Sequence, residues 1–104
     1  MELFLTNKSG TINAKALFSE NDGKLTVCKG SIISSRVSGG IFRSAGTVEK
    51  IRSDEKLVKG VKVVNDIAFK SASAAANFVT GCSTNGLMAW KDKDGLPLKK
   101  LIER

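Results

Sequence analysis

Hydrophobic and polar positions alternate most clearly from Thr11 to Ser19. Ile12, Ala14, Ala16 and Phe18 point one way and Thr11, Asn13, Lys15 and Ser19 the other, broken only by Leu17. A period of two is that of a strand with one buried face. Upstream, Leu3-Phe4-Leu5 stands between polar ends at Glu2 and Thr6 and predicts a strand, followed by the turn-forming run Asn7-Lys8-Ser9-Gly10. Downstream, Asn21-Asp22-Gly23 predicts a hairpin turn onto a third strand at 24–29, because Asp-Gly tolerates the positive φ angles of tight turns. Residues 1–30 therefore read as an antiparallel meander.

The period changes over 31–66, which reads as loop, helix and short strands. Ile32 and Ile33 continue the third strand or leave it, and Ser38-Gly39-Gly40 predicts a mobile loop. Ala45, Val48 and Ile51 recur every third position and predict a helix over 43–53. Arg43, Glu49, Lys50 and Arg52 then lie on its solvated face. Leu57-Val58 and Val61 to Val64 around Gly60 predict a short strand or hairpin, and Ile67-Ala68-Phe69 a strand leading into the last third, 67–104.

That last third holds the most distinctive stretch. Ser71 to Trp90 has no charged residue, although Asp, Glu, Lys and Arg make up 26% of the chain. Charged residues are rarely buried unpaired, so a neutral window marks core or interface. Ser71 is placed to cap a helix, Gly81 to end it in the left-handed conformation, and Ala72, Ala75, Ala76 and Val79 recur at helical spacing. Alanines such as Ala75 let the backbone approach a sheet closely. Ser73, Asn77 and Thr80 form an opposite stripe, polar but uncharged, that meets either water or a ligand. After the Asn85-Gly86 turn, Leu87 to Trp90 predicts a strand, with Trp90 a core side chain packed on the alanines rather than a base-stacking platform. Leu98, Leu101 and Ile102 predict a short closing helix. The expected fold is α+β: one small domain in which the meander packs with two or three short helices.

Composition adds charge to this picture. The chain of 104 residues carries net charge +7, which favours anionic partners such as nucleic acid but also serves solubility. The excess is spread: residues 1–40 hold five basic and three acidic groups, 41–70 seven and four, 71–104 five and three, so folding must make any basic patch. No apolar run approaches the roughly 18 residues of a membrane span, and the opening MELFLTNKSG lacks a signal-peptide pattern. A soluble cytoplasmic protein without membrane contact is expected.

Catalytic chemistry finds no foothold in the residues. There is no His and no Tyr, and no carboxylate pair stands in an apolar setting. Gly81 to Gly86 has the glycine spacing of a P-loop, but Leu87-Met88 replace the Lys and Ser/Thr that bind phosphate and metal. Cys28 and Cys82 are too few and too distant for a zinc site, and Cys82 follows a helix C-terminus, where the dipole disfavours a thiolate. No enzyme activity, cofactor or metal is expected. Lys29, Lys70 and Lys91 each end an apolar segment. They are solvated separately, or form a phosphate-contacting row if the three ends share an edge.

Lys29-Gly30-Ser31, Phe69-x-Ser71-x-Ser73-Ala74-Ala75-Ala76, Gly81, Asn85-Gly86 and Trp90-Lys91, with Gly95 and Leu98 behind, resemble the uncharacterised-domain family numbered 4357. Members often form the C-terminal part of bacterial proteins, some with a GIY-YIG nuclease domain. The family is similar in turn to the RAMA domain of restriction enzymes and adenine methylases, a proposed reader of modified DNA. The likeness is strongest over 69–98. It departs at Ala72, where Pro is common, at Cys82, where Arg is frequent, and at Leu87, where Trp is frequent.

Charge and resemblance together imply a non-catalytic nucleic-acid-binding module, DNA favoured and sensitive to base modification, beside a nuclease or methylase partner. Lys29, Arg36, Lys70, Lys91 and Lys93 would contact phosphates, and Ser31, Ser73, Asn77 and Asn85 would donate or accept hydrogen bonds. The alternative is a protein-interaction or structural module that docks a partner through the neutral stripe and Leu87-Met88.

Overall fold

In a computed structural model the described residues are 1–35 and 45–103. Three strands form the meander, β1 (Glu2–Thr6), β2 (Asn13–Phe18) and β3 (Leu25–Val27). Gly23 turns the second hairpin with φ 72°. Helix α1 (Ala45–Arg52) and the hairpin of β4 (Val58–Lys59) and β5 (Lys62–Val63) follow, then β6 (Ile67–Phe69), which returns to pair with β3. The resulting antiparallel sheet has the order β1-β2-β3-β6. Ile32 bridges both Asn13 and Lys62 and so ties the β4–β5 hairpin to β2.

The helix over 43–53 is seen from Ala45 to Arg52; Arg43, like the Ser38-Gly39-Gly40 stretch, lies outside the described residues. Helix α2 (Ala72–Thr80) starts where Ser71 Oγ accepts the Ala74 amide and ends at Gly81 with φ 76°. Its buried residues include Ala72, Ala75, Ala76, Phe78 and Val79. The buried face of the sheet contributes Leu3, Leu5, Ala14, Ala16, Leu25, Val27, Ile67 and Phe69 to the same core. The Phe69 and Phe78 rings meet at 5.2 Å, joining β6 to the helix.

One element departs from expectation. Gly86–Ala89 is a helical turn, α3, where a strand from Leu87 to Trp90 is predicted; with α4 (Leu98–Ile102) it brings the helices to four among the described residues. Asn85 Oδ1 accepts the Leu87 amide and caps the turn. Gly86 lies against the start of α2, its amide donating to Ser73 Oγ at 3.2 Å. A strand needs a ladder, and the four residues Leu-Met-Ala-Trp are too few for periodicity to separate strand from helix. The extended backbone resumes at Lys91, which exchanges both hydrogen bonds with Phe4 at 2.7 and 3.0 Å.

Trp90 is fully buried, as a core Trp should be, and its Nε1 donates to Ala72 O at 3.0 Å. Arg52 is a second long-range anchor, read from sequence as solvated. Its guanidinium donates to Ser34 O at 2.7 Å, to Phe78 O at 2.6 Å and to Val79 O at 3.3 Å, and lies 5.7 Å from the Phe78 ring centroid. Helix α2 has no basic residue in its last turn. Arg52 supplies from α1 the positive charge and the donors that those carbonyls lack. Burial pulls its pKa below the usual range, yet a guanidinium stays charged in a protein.

Urea unfolding would separate these contributions. A Cβ on Gly86 would stand 2.2 Å from the Ala72 carbonyl carbon, so Gly86→Ala should cost at least about 3 kcal/mol, at the upper end of overpacking. Ser71→Ala should cost only about 1 kcal/mol, the loss of one cap. Arg52→Met keeps the stem but leaves the α2 carbonyls without their donor, and should lower stability by about 2–3 kcal/mol. A midpoint unchanged by Gly86→Ala would contradict the close approach of α3 to α2.

Candidate nucleic-acid interface

The core-facing residues of the sheet are buried, and the opposite face is open among the described residues. Along β1 that face carries Glu2, Phe4 and Thr6, along β2 Asn13, Lys15 and Leu17, and along β3 and β6 Thr26 and Ala68. Leu17 is 47% exposed, which accounts for the break in the alternation: it sits on the solvent face. Phe4 is part-exposed on the same face.

Phe4 lies between two lysines. Antiparallel pairing sets it opposite Lys15 of β2 on one side and opposite Lys91 on the other. Directly paired residues share a face with Cα atoms about 4.5–5.5 Å apart, so a lysine stands on either side of Phe4. Lys93 follows in a turn closed by Gly95 at φ 86°. The Asp92 carboxylate is bound inside that turn, where it accepts the Asp94 and Leu96 amides at 2.9 Å each. Glu2 reaches Lys15 at 3.5 Å, with both side chains about half exposed, a pair worth little in water. Two clefts flank Phe4. One of about 280 Å³ runs between Phe4, Thr6 and the Lys91 to Gly95 turn, and one of about 210 Å³ is bounded by Glu2, Phe4, Asp92 and Lys93. A larger cleft, about 340 Å³, lies elsewhere between Phe18, Glu20, Leu101 and Ile102. Among the described residues its lining holds a carboxylate and no cation, and the 210 Å³ cleft sets two carboxylates against Lys93, so the 280 Å³ cleft, with Lys91 and Lys93 beside Asp92, is the better anion site.

The residues singled out from sequence scatter. Lys29, Lys70 and Lys91 do not form a row. Lys29 follows the Val27–Ile67 end of the β3–β6 ladder, where its amide donates to Asp66 Oδ1 at 2.7 Å, and Lys70 follows the opposite, Leu25–Phe69, end. Lys91 is beside β1, four strand spacings from β6 and so roughly 19 Å away at about 4.8 Å per spacing. Lys70 and its neighbour Lys24 occupy the far corner of the sheet. Arg36 lies outside the described residues.

The hydrogen-bonding candidates are engaged within the fold. Ser31 is 3% exposed; its Oγ accepts the Lys15 amide at 3.0 Å and donates to Lys15 O at 3.2 Å, continuing the ladder where β3 has ended. Asn77 is buried in α2, its Oδ1 accepting the Thr84 amide at 2.8 Å. Ser73 Oγ accepts from Gly86 and Asn85 caps α3. The polar stripe of the neutral window therefore holds its own loop. Leu87 and Met88 are 38% and 48% exposed on α3.

Phe4 and Lys15 were not singled out in the sequence. The signal was present: alternation puts Phe4 opposite Leu3 and Leu5, which leaves a large aromatic ring on the solvent face of a strand beside a polar one. Among the described residues no helix is long and apolar enough to cross a membrane. A family model described as "Domain of unknown function (DUF4357)" matches residues 4–102. No curated protein and no solved structure matches the chain.

The cysteines are both free, Cys28 half-buried and Cys82 exposed. Burial, and then the nearby Asp66 carboxylate, push the Cys28 thiol above its ordinary pKa and reduce its thiolate at any pH near neutral. Iodoacetamide at pH 8 should therefore label Cys82 first and Cys28 several-fold more slowly, a difference that urea should abolish. Mass spectrometry of peptides at timed quench points reads both rates, and equal rates in the folded protein would contradict the placement of Cys28.

Proposed function

The chain belongs to the DUF4357 family, and for this member we propose a non-catalytic nucleic-acid-binding module. DNA is its favoured polymer, base modification modulates its binding, and it works in a restriction or nuclease setting. The observation that carries the proposal is the open sheet face, where part-exposed Phe4 is paired with Lys15 and Lys91 and Lys93 stands beyond. Lysines supply counter-charge for phosphate, and an aromatic ring on a sheet supplies a stacking surface. Net charge +7 draws a polyanion to the protein over longer range. The absence of His and Tyr from the whole chain supports the non-catalytic part. The resemblance to RAMA modules supports DNA over RNA and a nuclease or methylase partner.

Fluorescence anisotropy of a labelled DNA, plain and adenine-methylated, at two salt concentrations tests the proposal. Affinity should fall as salt rises. Lys15→Glu combined with Lys91→Glu should weaken binding and reduce the log–log salt slope by about 1.4–1.8, two phosphate contacts' worth. The equal charge change at Lys59→Glu and Lys62→Glu, on the β4–β5 hairpin, should cost less. Binding and slope untouched by the first pair would overturn the assignment of this face. A partner protein that binds through Leu87 and Met88 without salt dependence is the competing outcome.

A further inference from the structure

Resting on the nucleic-acid function proposed above, we infer that the open face takes an unpaired nucleobase of a single strand, stacked on Phe4, rather than intact duplex. In a duplex the faces of the bases are hidden in the stack and only their edges are offered in the grooves, so a ring such as Phe4 reaches a base face only where a base is unpaired or a step is pried open at a cost in stacking. The part-exposed Phe4 ring borders both clefts beside β1, about 280 and 210 Å³, and is flanked on each side by a lysine. A single strand supplies both partners at once, a base for the ring and phosphates for Lys15, Lys91 and Lys93.

Among the described residues, neither helix of eight or more residues offers duplex a matching element. Reading the major groove takes a helix or a two-stranded ribbon carrying polar side chains to base edges. The longest described helix, α2, has no charged residue and buries six of its nine residues. Helix α1 spends its Arg52 on the carbonyls of α2. The described two-stranded ribbon β4–β5 carries Lys59 opposite Lys62 but no Arg, Asn or Gln for a bidentate contact with a base edge.

The test uses the full chain with a fluorescein-labelled 12-nucleotide oligo-dT, and a duplex of the same length, at two salt concentrations. Single strand should bind at least tenfold tighter than duplex. Phe4→Leu keeps apolar bulk and removes the ring. It should weaken single-strand binding by roughly 5- to 150-fold, the range for losing one stacked base, with the salt slope unchanged. Phe4→Tyr should retain affinity. A cooperative thermal transition for each variant confirms folding. Equal affinity for the two forms, or no effect of Phe4→Leu, would overturn base stacking. In that case binding that still weakens with salt and with Lys91→Glu would leave the nucleic-acid function standing. Failure of both forms to bind in low salt would overturn both.

Discussion

The fold depends on a backbone contact that only glycine permits. Gly86 sits so close to the first turn of α2 that a single added carbon would overlap the Ala72 carbonyl, and two side-chain hydrogen bonds lock the approach. Ser73 Oγ takes the Gly86 amide, and Trp90 Nε1 donates to Ala72 O four residues after the glycine. The contact fixes the direction in which the chain leaves α3, so that Lys91 arrives beside β1 and pairs with Phe4. A large aromatic with a satisfied indole N–H is well suited to close such a joint, because it buries much area without stranding a polar atom. The motif Ser71, Ser73, Asn85-Gly86, Trp90-Lys91 is therefore one structural device. Cap, acceptor, cap, close approach and core anchor each act on the same short stretch of backbone.

Neutrality and charge divide the labour in a way that composition alone conceals. The uncharged window from Ser71 to Trp90 supplies the buried face of α2 and Trp90 to the core, and its polar side chains serve its own turns: Asn77 holds Thr84, and the Thr80 hydroxyl reaches the Ala76 and Cys82 carbonyls. Because α2 ends without a basic residue, Arg52 from another helix serves its C-terminus. That arginine is half-buried and committed to carbonyls, so it is unavailable to an anionic partner. Among the described residues the cations exposed to meet one are lysines on strands, turns and helices α1 and α4, with few acidic partners. Lys15–Glu2 is the one ion pair among the described residues.

These two facts move the candidate site away from where the sequence points. A neutral helix with a polar stripe suggests a ligand-binding face, yet folding turns that stripe against the loop after Gly81. The open face of the sheet, built from a meander that reads as scaffold, is where an aromatic ring and lysines meet. Cross-strand pairing makes the meeting possible: Phe4, Lys15 and Lys91 are 11 and 76 positions apart in the chain and adjacent in the sheet.

Sequence alone determined whatever rests on neighbours along the chain. The alternation of Ile12 to Phe18, the Asp22-Gly23 turn, the Ser71 cap, the Gly81 stop and the closing turn at Leu98 all arise from interactions within a few residues, and all appear in the fold where expected. Even the Phe4 signal is local, since alternation places that ring on the outer face of its strand. Tertiary structure decided the rest. Leu87 to Ala89 became helix because Gly86 packs on Ala72. Asn77 and Ser31 went inside because Thr84 and Lys15 needed partners, and Arg52 turned inward because α2 ends without a cation. Each outcome hangs on a contact between residues far apart in sequence or on a backbone group left unsatisfied elsewhere, and such contacts leave no periodic trace in the residues themselves.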